Sequence, residues 1–278
     1  MAAFNYVYLC FGRAPNPYRE LDYSLTTLTA EIRGDRSRVL IFTDHPERFA
    51  GRPERIVDIS DRLEAMSKTP RVRLHFRAKP LTLALALRMT GEACVLLDTD
   101  TFVRPGFDAA VARALAQGAA MNAFVRREAY PFFGPFESDL PQIGRYRFDR
   151  EKSIMLNSGL IAARPEHAPL MEDAAVLIDR LFEADLVLHD VEQFAVGEAF
   201  RTCGVRIGLI DTELEHYCQK WSKRYMRRKL RERVEGSAGI PFSKTRVRFF
   251  KFSRLWRLAL RDARRSALDR LRIFGPPG

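Results

Sequence analysis

Two carboxylates one residue apart, Asp98-Thr99-Asp100, follow directly on the apolar run Ala93-Cys94-Val95-Leu96-Leu97. Five apolar residues bounded by Gly91 and by charge read as a fully buried strand. Acids at the C-terminal end of such a strand emerge where open α/β sheets bind ligands. Carboxylate oxygens suit hard divalent ions, and Mg²⁺ is commonly held by one or two carboxylates plus substrate phosphates. The triplet therefore points to a metal–diphosphate site, although an Asp-x-Asp pattern alone is common. Its weight comes from four further pieces.

Arg77 and Lys79 open the helical stretch before the Asp98 strand, placing cations near a diphosphate; a solvated helix start reads equally well. Asn157-Ser158-Gly159 puts polar residues and a glycine inside an apolar strand. Such groups need partners, and a strand glycine marks close approach of backbone or ligand. They suit either a polar edge facing a sugar or a local bulge. His189-Asp190-Val191-Glu192-Gln193 begins a helix, with Asp190 an N-cap or first-turn acid and Glu192 and Gln193 candidates for the same cleft. His216 follows the last apolar strand; a lone histidine is more often structural, yet imidazole can complete a carboxylate metal site.

The elements that must position these residues alternate. Strands are expected at 6–11, 38–42, 93–97, 120–125, 154–162 and 205–210, and helices at 18–32, 81–89, 107–117, 171–182 and 189–200. The pattern predicts an α/β fold with a Rossmann-like, mostly parallel sheet covered by helices on both faces. Residues 126–152 are too long and irregular for an ordinary connection and rich in aromatics, including Tyr130, Phe132, Phe133, Phe136, Tyr146 and Phe148. That composition predicts a lid over the cleft rather than a linker.

With 278 residues the chain can bury one large core with a small appendage. Its start lacks the basic and apolar regions of a signal peptide, and no window approaches the roughly 20 apolar residues of a membrane span. Cys10, Cys94, Cys203 and Cys218 form no CxxC pair and read as reduced thiols of a cytoplasmic protein. Charge divides the chain. Residues 1–218 carry 27 Lys/Arg against 31 Asp/Glu, a net of −4, whereas residues 219–278 carry 19 against 4, a net of +15. A catalytic domain over 1–218 and a basic helical tail over 219–278 follow from that shift.

Taken in order, the pieces resemble the GT-A-fold glycosyltransferases that use nucleotide-sugar donors, especially the family-8-like group. They are the first strand, Ser24-Leu25, Thr43-Asp44, Phe76-Arg77-Ala78-Lys79, Leu97-Asp98-Thr99-Asp100-Thr101, Leu156-Asn157-Ser158-Gly159, Glu192-Gln193 and His216. The likeness spans about residues 4–221. It implies that Asp98 and Asp100 form the family's DxD, binding Mn²⁺ or Mg²⁺ and through it the donor diphosphate, with His216 as third metal ligand. It also implies that Arg77, with Lys79 beside it, helps hold the donor. Asn157, Ser158 and Gly159 would lie along the donor sugar and acceptor, and Glu192 and Gln193 would touch the transferred sugar. The chain departs from the family where Phe194 replaces a frequent acid and where Lys220-Trp221 follow without the usual glycine. The likeness implies retention of configuration; an inverting enzyme would instead need a carboxylate base, for which Asp190 or Glu192 would serve.

In the tail, 219–236 and 253–274 show helical spacing. The second sets a stripe from Trp256 to Phe274 against seven arginines. A basic amphipathic helix reads as a membrane-surface element, so residues 245–274 are expected to meet an anionic membrane, with the protein peripheral on its inner face. That would suit a glycan or lipid-linked acceptor. The same helix can instead pack with its basic face in solvent, and no nucleic-acid module accompanies the charge. The rival functions are a catalytically inactive GT-A-like scaffold and a DxD phosphatase, whose pattern wants Thr or Val where this chain has Phe102. A sugar-nucleotide pyrophosphorylase would need a glycine-rich N-terminal loop that residues 10–19 lack.

Overall fold

The computed structural model describes residues 4–67, 76–125, 135–153, 155–186 and 190–236. The chain divides into two compact units, Met1–Cys218 and Gln219–Gly278. The first unit runs β1 (Phe4–Leu9), α1 (Pro15–Glu31), β2 (Val39–Thr43), β3 (Arg55–Asp58), α2 (Ser60–Ser67), α3 (Ala78–Thr90), β4 (Ala93–Leu97), β5 (Thr101–Val103), α4 (Phe107–Gln117) and β6 (Ala119–Val125). It continues with β7 (Glu137–Leu140), β8 (Gly144–Arg147), β9 (Met155–Ala163), α5 (Ala168–Glu183), α6 (Val191–Thr202), β10 (Ile207–Leu209) and β11 (Leu214–His216). In the second unit the described residues form one helix, α7 (Lys220–Gly236).

Seven strands make one sheet in the order β10-β6-β9-β4-β1-β2-β3. All run the same way except β9, which is antiparallel to both β4 and β6. Alternation along each strand feeds two cores. From β4, Cys94 and Leu96 pack on one face with residues of α3, α5 and α6, while Val95 and Leu97 pack on the other with α1 and α4. Burial on both faces explains why β4 reads as an unbroken apolar run. Each fully buried Leu or Val contributes about 1.5–3 kcal/mol relative to exposure. Helix α3 ends cleanly because Gly91 takes a left-handed conformation, φ 64°, and donates its N–H to Leu87 O.

The mostly parallel, two-faced sheet is the expected architecture, with strand ends shifted by one or two residues. Elements that the sequence pattern does not announce are short or half-exposed: β3 at the sheet edge, the three-residue β5 and β11, and α2. The expected lid differs most. Residues 126–134 lie outside the described residues, whereas 137–147 form the β7–β8 hairpin. Its aromatics are packing groups: Tyr146 is fully buried, Phe136 lies 6.2 Å from it and Phe148 packs 6.1 Å from Phe194. The expected helix at 253–274 and membrane segment 245–274 also lie outside the described residues, as does His189. Among the described residues no helix is long and apolar enough to cross a membrane.

Candidate metal and donor site

Strand β4 delivers Asp98 and Asp100 to the C-terminal edge of the sheet, and the backbone around them is pinned. Asp98 N donates to Gly159 O at 3.0 Å, and Tyr217 N donates to Asp100 O at 3.1 Å. Beneath the turn, a chain of buried hydroxyls links Tyr8 to Ser24 at 2.8 Å and Ser24 to Thr101 at 3.1 Å; Thr101 Oγ1 then donates to Asp98 O at 2.6 Å. This explains why Ser24 is polar although fully buried on α1. Antiparallel pairing of β5 with β11 sets Thr101 opposite His216 and so brings the distant histidine beside the two acids.

His216 Nε2 lies 3.4 Å from Asp98 Oδ2 and 3.4 Å from Asp100 Oδ1. One ligand atom from each of the three residues falls within 4.8 Å of the others. Ligands about 2.1 Å from an ion and roughly at right angles stand about 3 Å apart, so the group fits a hard divalent cation. The donor set, two carboxylates and an imidazole, suits Mn²⁺ or Mg²⁺. Burial works against a charged His216 ring. Hydrogen bonds to Asp100 and Cys218 and the charges of both aspartates outweigh it, pushing its pKa up to about 10. The site thus already favours positive charge at this point.

Behind the histidine, Nδ1 meets Asn157 Oδ1 at 2.7 Å, and the same oxygen accepts Gly159 N–H at 2.9 Å. Gly159 is required for closeness: a Cβ there would stand 2.4 Å from His216 Nδ1. The bulge anticipated at 157–159 is present as a shift of register between β9 and β6. Bulge and site are one feature, because the irregular stretch seats the histidine.

Lys79, in the first turn of α3, sits at the positive end of a helix dipole and needs acids nearby. Its Nζ reaches Asp98 Oδ1 at 2.8 Å, Glu192 Oε1 at 2.8 Å, Ser158 O at 3.1 Å and Ser158 Oγ at 3.2 Å. Burial disfavours the ammonium, but Asp98 and Glu192 raise its pKa above the ordinary value. Lys79, and not Arg77, is therefore the cation at the acids. Arg77 turns away, its Nε 3.2 Å from Asp179 Oδ2 on α5. Asn157 differs from its expected place along the sugar in that its amide oxygen is turned to His216. Gln193 is buried with Nε2 3.1 Å from Met155 Sδ. Asp190 is exposed at the N-cap of α6 and makes no side-chain cap bond. The site thus joins Lys79, Asp98, Asp100, Asn157, Ser158, Gly159, Glu192 and His216. At the neighbouring strand ends, Asp44 accepts Gly12 N–H at 2.9 Å and ties the loop after β1 to β2.

No protein-family model and no protein of curated function matches this sequence. Solved structures do. The galactosyltransferase LgtC, in complex with donor and acceptor sugar analogues, is 11% identical; the match covers 86% of this chain and 98% of that one, with a TM-score of 0.53. Mouse xyloside xylosyltransferase 1 matches at 9% identity over 75% of this chain and 85% of its own, TM-score 0.48. A 2-C-methyl-D-erythritol 4-phosphate cytidylyltransferase from Thermus thermophilus matches at 15% identity over 83% and 100%, TM-score 0.42. The LgtC likeness identifies the fold as that of the GT-A nucleotide-sugar transferases.

Proposed function

We propose that this chain is a metal-dependent glycosyltransferase that moves a sugar from a nucleotide-diphosphate-sugar donor to a glycan or glycolipid acceptor. The observation that carries this reading is the convergence of Asp98, Asp100 and His216 within 4.8 Å at the C-terminal edge of a GT-A-type sheet. These three residues would hold Mn²⁺ or Mg²⁺. A bound cation would act as a Lewis acid toward the leaving diphosphate. Lys79 adds a second positive charge beside Asp98 and Ser158; its three N–H donors already serve Asp98, Glu192 and Ser158, so a phosphate oxygen would take the place of one of these acceptors. Glu192 is ion-paired with Lys79 rather than available as a base. That pairing favours a retaining transfer, in which Glu192 orients the sugar and Asp190 binds hydroxyls at the rim, while Gln193, buried against Met155, holds the start of α6 in place.

The net charge of +15 over 219–278 supports a peripheral, cytoplasmic enzyme whose residues 245–274 meet an anionic membrane carrying the acceptor. Each Lys or Arg near such a surface adds about 1 kcal/mol. A chain ending at residue 244 should lose its hold on anionic liposomes; unaltered retention would remove the membrane element.

The transferase reading is tested with a panel of nucleotide sugars, each assayed for Mn²⁺-dependent hydrolysis and thermal stabilisation. At least one donor should give both responses, and Asp100→Ala should abolish them while the variant still folds. A panel without any response would refute the reading.

A further inference from the structure

We infer that Asn157 is a positioning residue that keeps a hydrogen on His216 Nδ1, so that Nε2 is the nitrogen that gives up its proton to a cation between Asp98 and Asp100. This rests on the metal reading above and goes beyond it by assigning the group that controls the histidine. A backbone N–H can only donate. The Gly159 N–H at 2.9 Å therefore identifies the Asn157 atom it faces as the amide oxygen. That oxygen can only accept, so His216 Nδ1, 2.7 Å away, must carry the hydrogen. When the ring gives up one proton, Nδ1 therefore keeps its hydrogen, and Nε2, 3.4 Å from an oxygen of each aspartate, supplies the lone pair.

Backbone and packing leave the ring little choice. Gly159 gives it room, since a Cβ would stand 2.4 Å from Nδ1, 2.6 Å from Cγ and 3.0 Å from Asn157 Oδ1. On the opposite side, pairing of β11 with β5 fixes the histidine backbone against Thr101. Partners that hold the far nitrogen of a metal-binding histidine typically account for about 10–100-fold in metal affinity. An Asn oxygen does this without adding a fourth carboxylate to a site that already holds Asp98, Asp100 and Glu192.

The test is Mn²⁺ titration calorimetry on the full chain, with Asn157→Leu and Asn157→Asp beside the unaltered protein. Ring nitrogen shifts of His216 are read by NMR in the metal-free protein at a pH where the ring is neutral. Asn157→Leu should weaken Mn²⁺ about 10–100-fold and lose the Nδ1–H signature. Asn157→Asp, which keeps an acceptor at the same point, should retain both. If Asn157→Leu binds Mn²⁺ as the unaltered protein does, or keeps the Nδ1–H tautomer, the inference is wrong while the metal site stands. If Asn157→Leu fails to fold, loss of the tautomer or of Mn²⁺ binding in Asn157→Asp overturns it. If the unaltered protein binds no Mn²⁺, the metal reading falls and takes this inference with it.

Discussion

Two clusters of charge are built into the first unit, and they serve opposite ends. One gathers Lys79, Asp98, Asp100, Glu192 and His216 at the sheet edge. The other surrounds Glu198 on α6, which accepts hydrogen bonds from Tyr146 at 2.8 Å, Ser153 at 2.9 Å and Arg201 at 2.7 Å. The Glu198 side chain is 0% exposed and both of its oxygens are used. In the first cluster Asp98 keeps 20% exposure, and His216 Nε2 stands 3.4 Å from an oxygen of each aspartate, at the spacing of ligands around a shared ion. A closed network spends its polarity on the fold. An open one aims it at something else, and that distinction, not burial or charge, marks the candidate site.

The largest effect that would sharpen this contrast is on stability. Glu198→Ala strands Arg201 and two hydroxyls, and breaking a buried pair costs about 3–5 kcal/mol. Chemical denaturation should show that loss, with Mn²⁺ affinity unchanged in the folded fraction. A stable Glu198→Ala protein with impaired Mn²⁺ binding would reverse the assignment of the two clusters. Gly159→Ala should do the converse. Displacing the His216 ring is expected to weaken Mn²⁺ about 100-fold, with an overpacking cost of about 1–3 kcal/mol. Calorimetry showing wild-type affinity would mean that the ring position is not critical.

A smaller effect separates two cations of similar promise. Hydrogen bonds to charged groups contribute about 1.5–3 kcal/mol, so Lys79→Met should weaken nucleoside-diphosphate binding about tenfold or more. Arg77→Met should instead act mainly on the anchoring of α3 to α5. Equal losses of affinity in the two variants would contradict the orientation of Arg77 toward Asp179.

The smallest belongs to the closed region. Burial lowers the pKa of His167, whose Nδ1 accepts Arg164 N–H at 3.2 Å and whose ring packs edge-on to Phe200. The unfolded chain, near the ordinary value of 6.5, binds that proton first. His167 thus contributes stability above about pH 6.5 that is lost as pH falls through its lower folded value. Melting between pH 7 and 5 should decline less steeply in His167→Gln than in the unaltered chain. Identical slopes would mean that the ring is not held neutral.

The sequence made the two acids legible because β4 is buried on both faces and so reads as five apolar residues ending abruptly in charge. The alternation of strands and helices was legible for the same reason. His216 stood out only as a possible ligand, and family resemblance tied it to the acids: its place beside Asp98 depends on pairing between two three-residue strands, too short to leave a pattern. Nor could the sequence choose between Arg77 and Lys79. Positions two apart on a helix face different ways, and which way is inward depends on where Asp179 and Glu192 arrive from α5 and α6. Glu198 left no mark either, since its partners Tyr146 and Ser153 lie about 50 residues away, in and just after a segment that looked like a lid.

Calorimetric titration of Mn²⁺ into the unaltered protein and into Asp100→Ala goes to the centre of the account. One ion should bind per chain, and the heat should vanish in Asp100→Ala while its unfolding curve stays close to that of the unaltered protein. Absence of binding in the unaltered chain, or equal binding in both, would contradict a cation held by Asp98, Asp100 and His216.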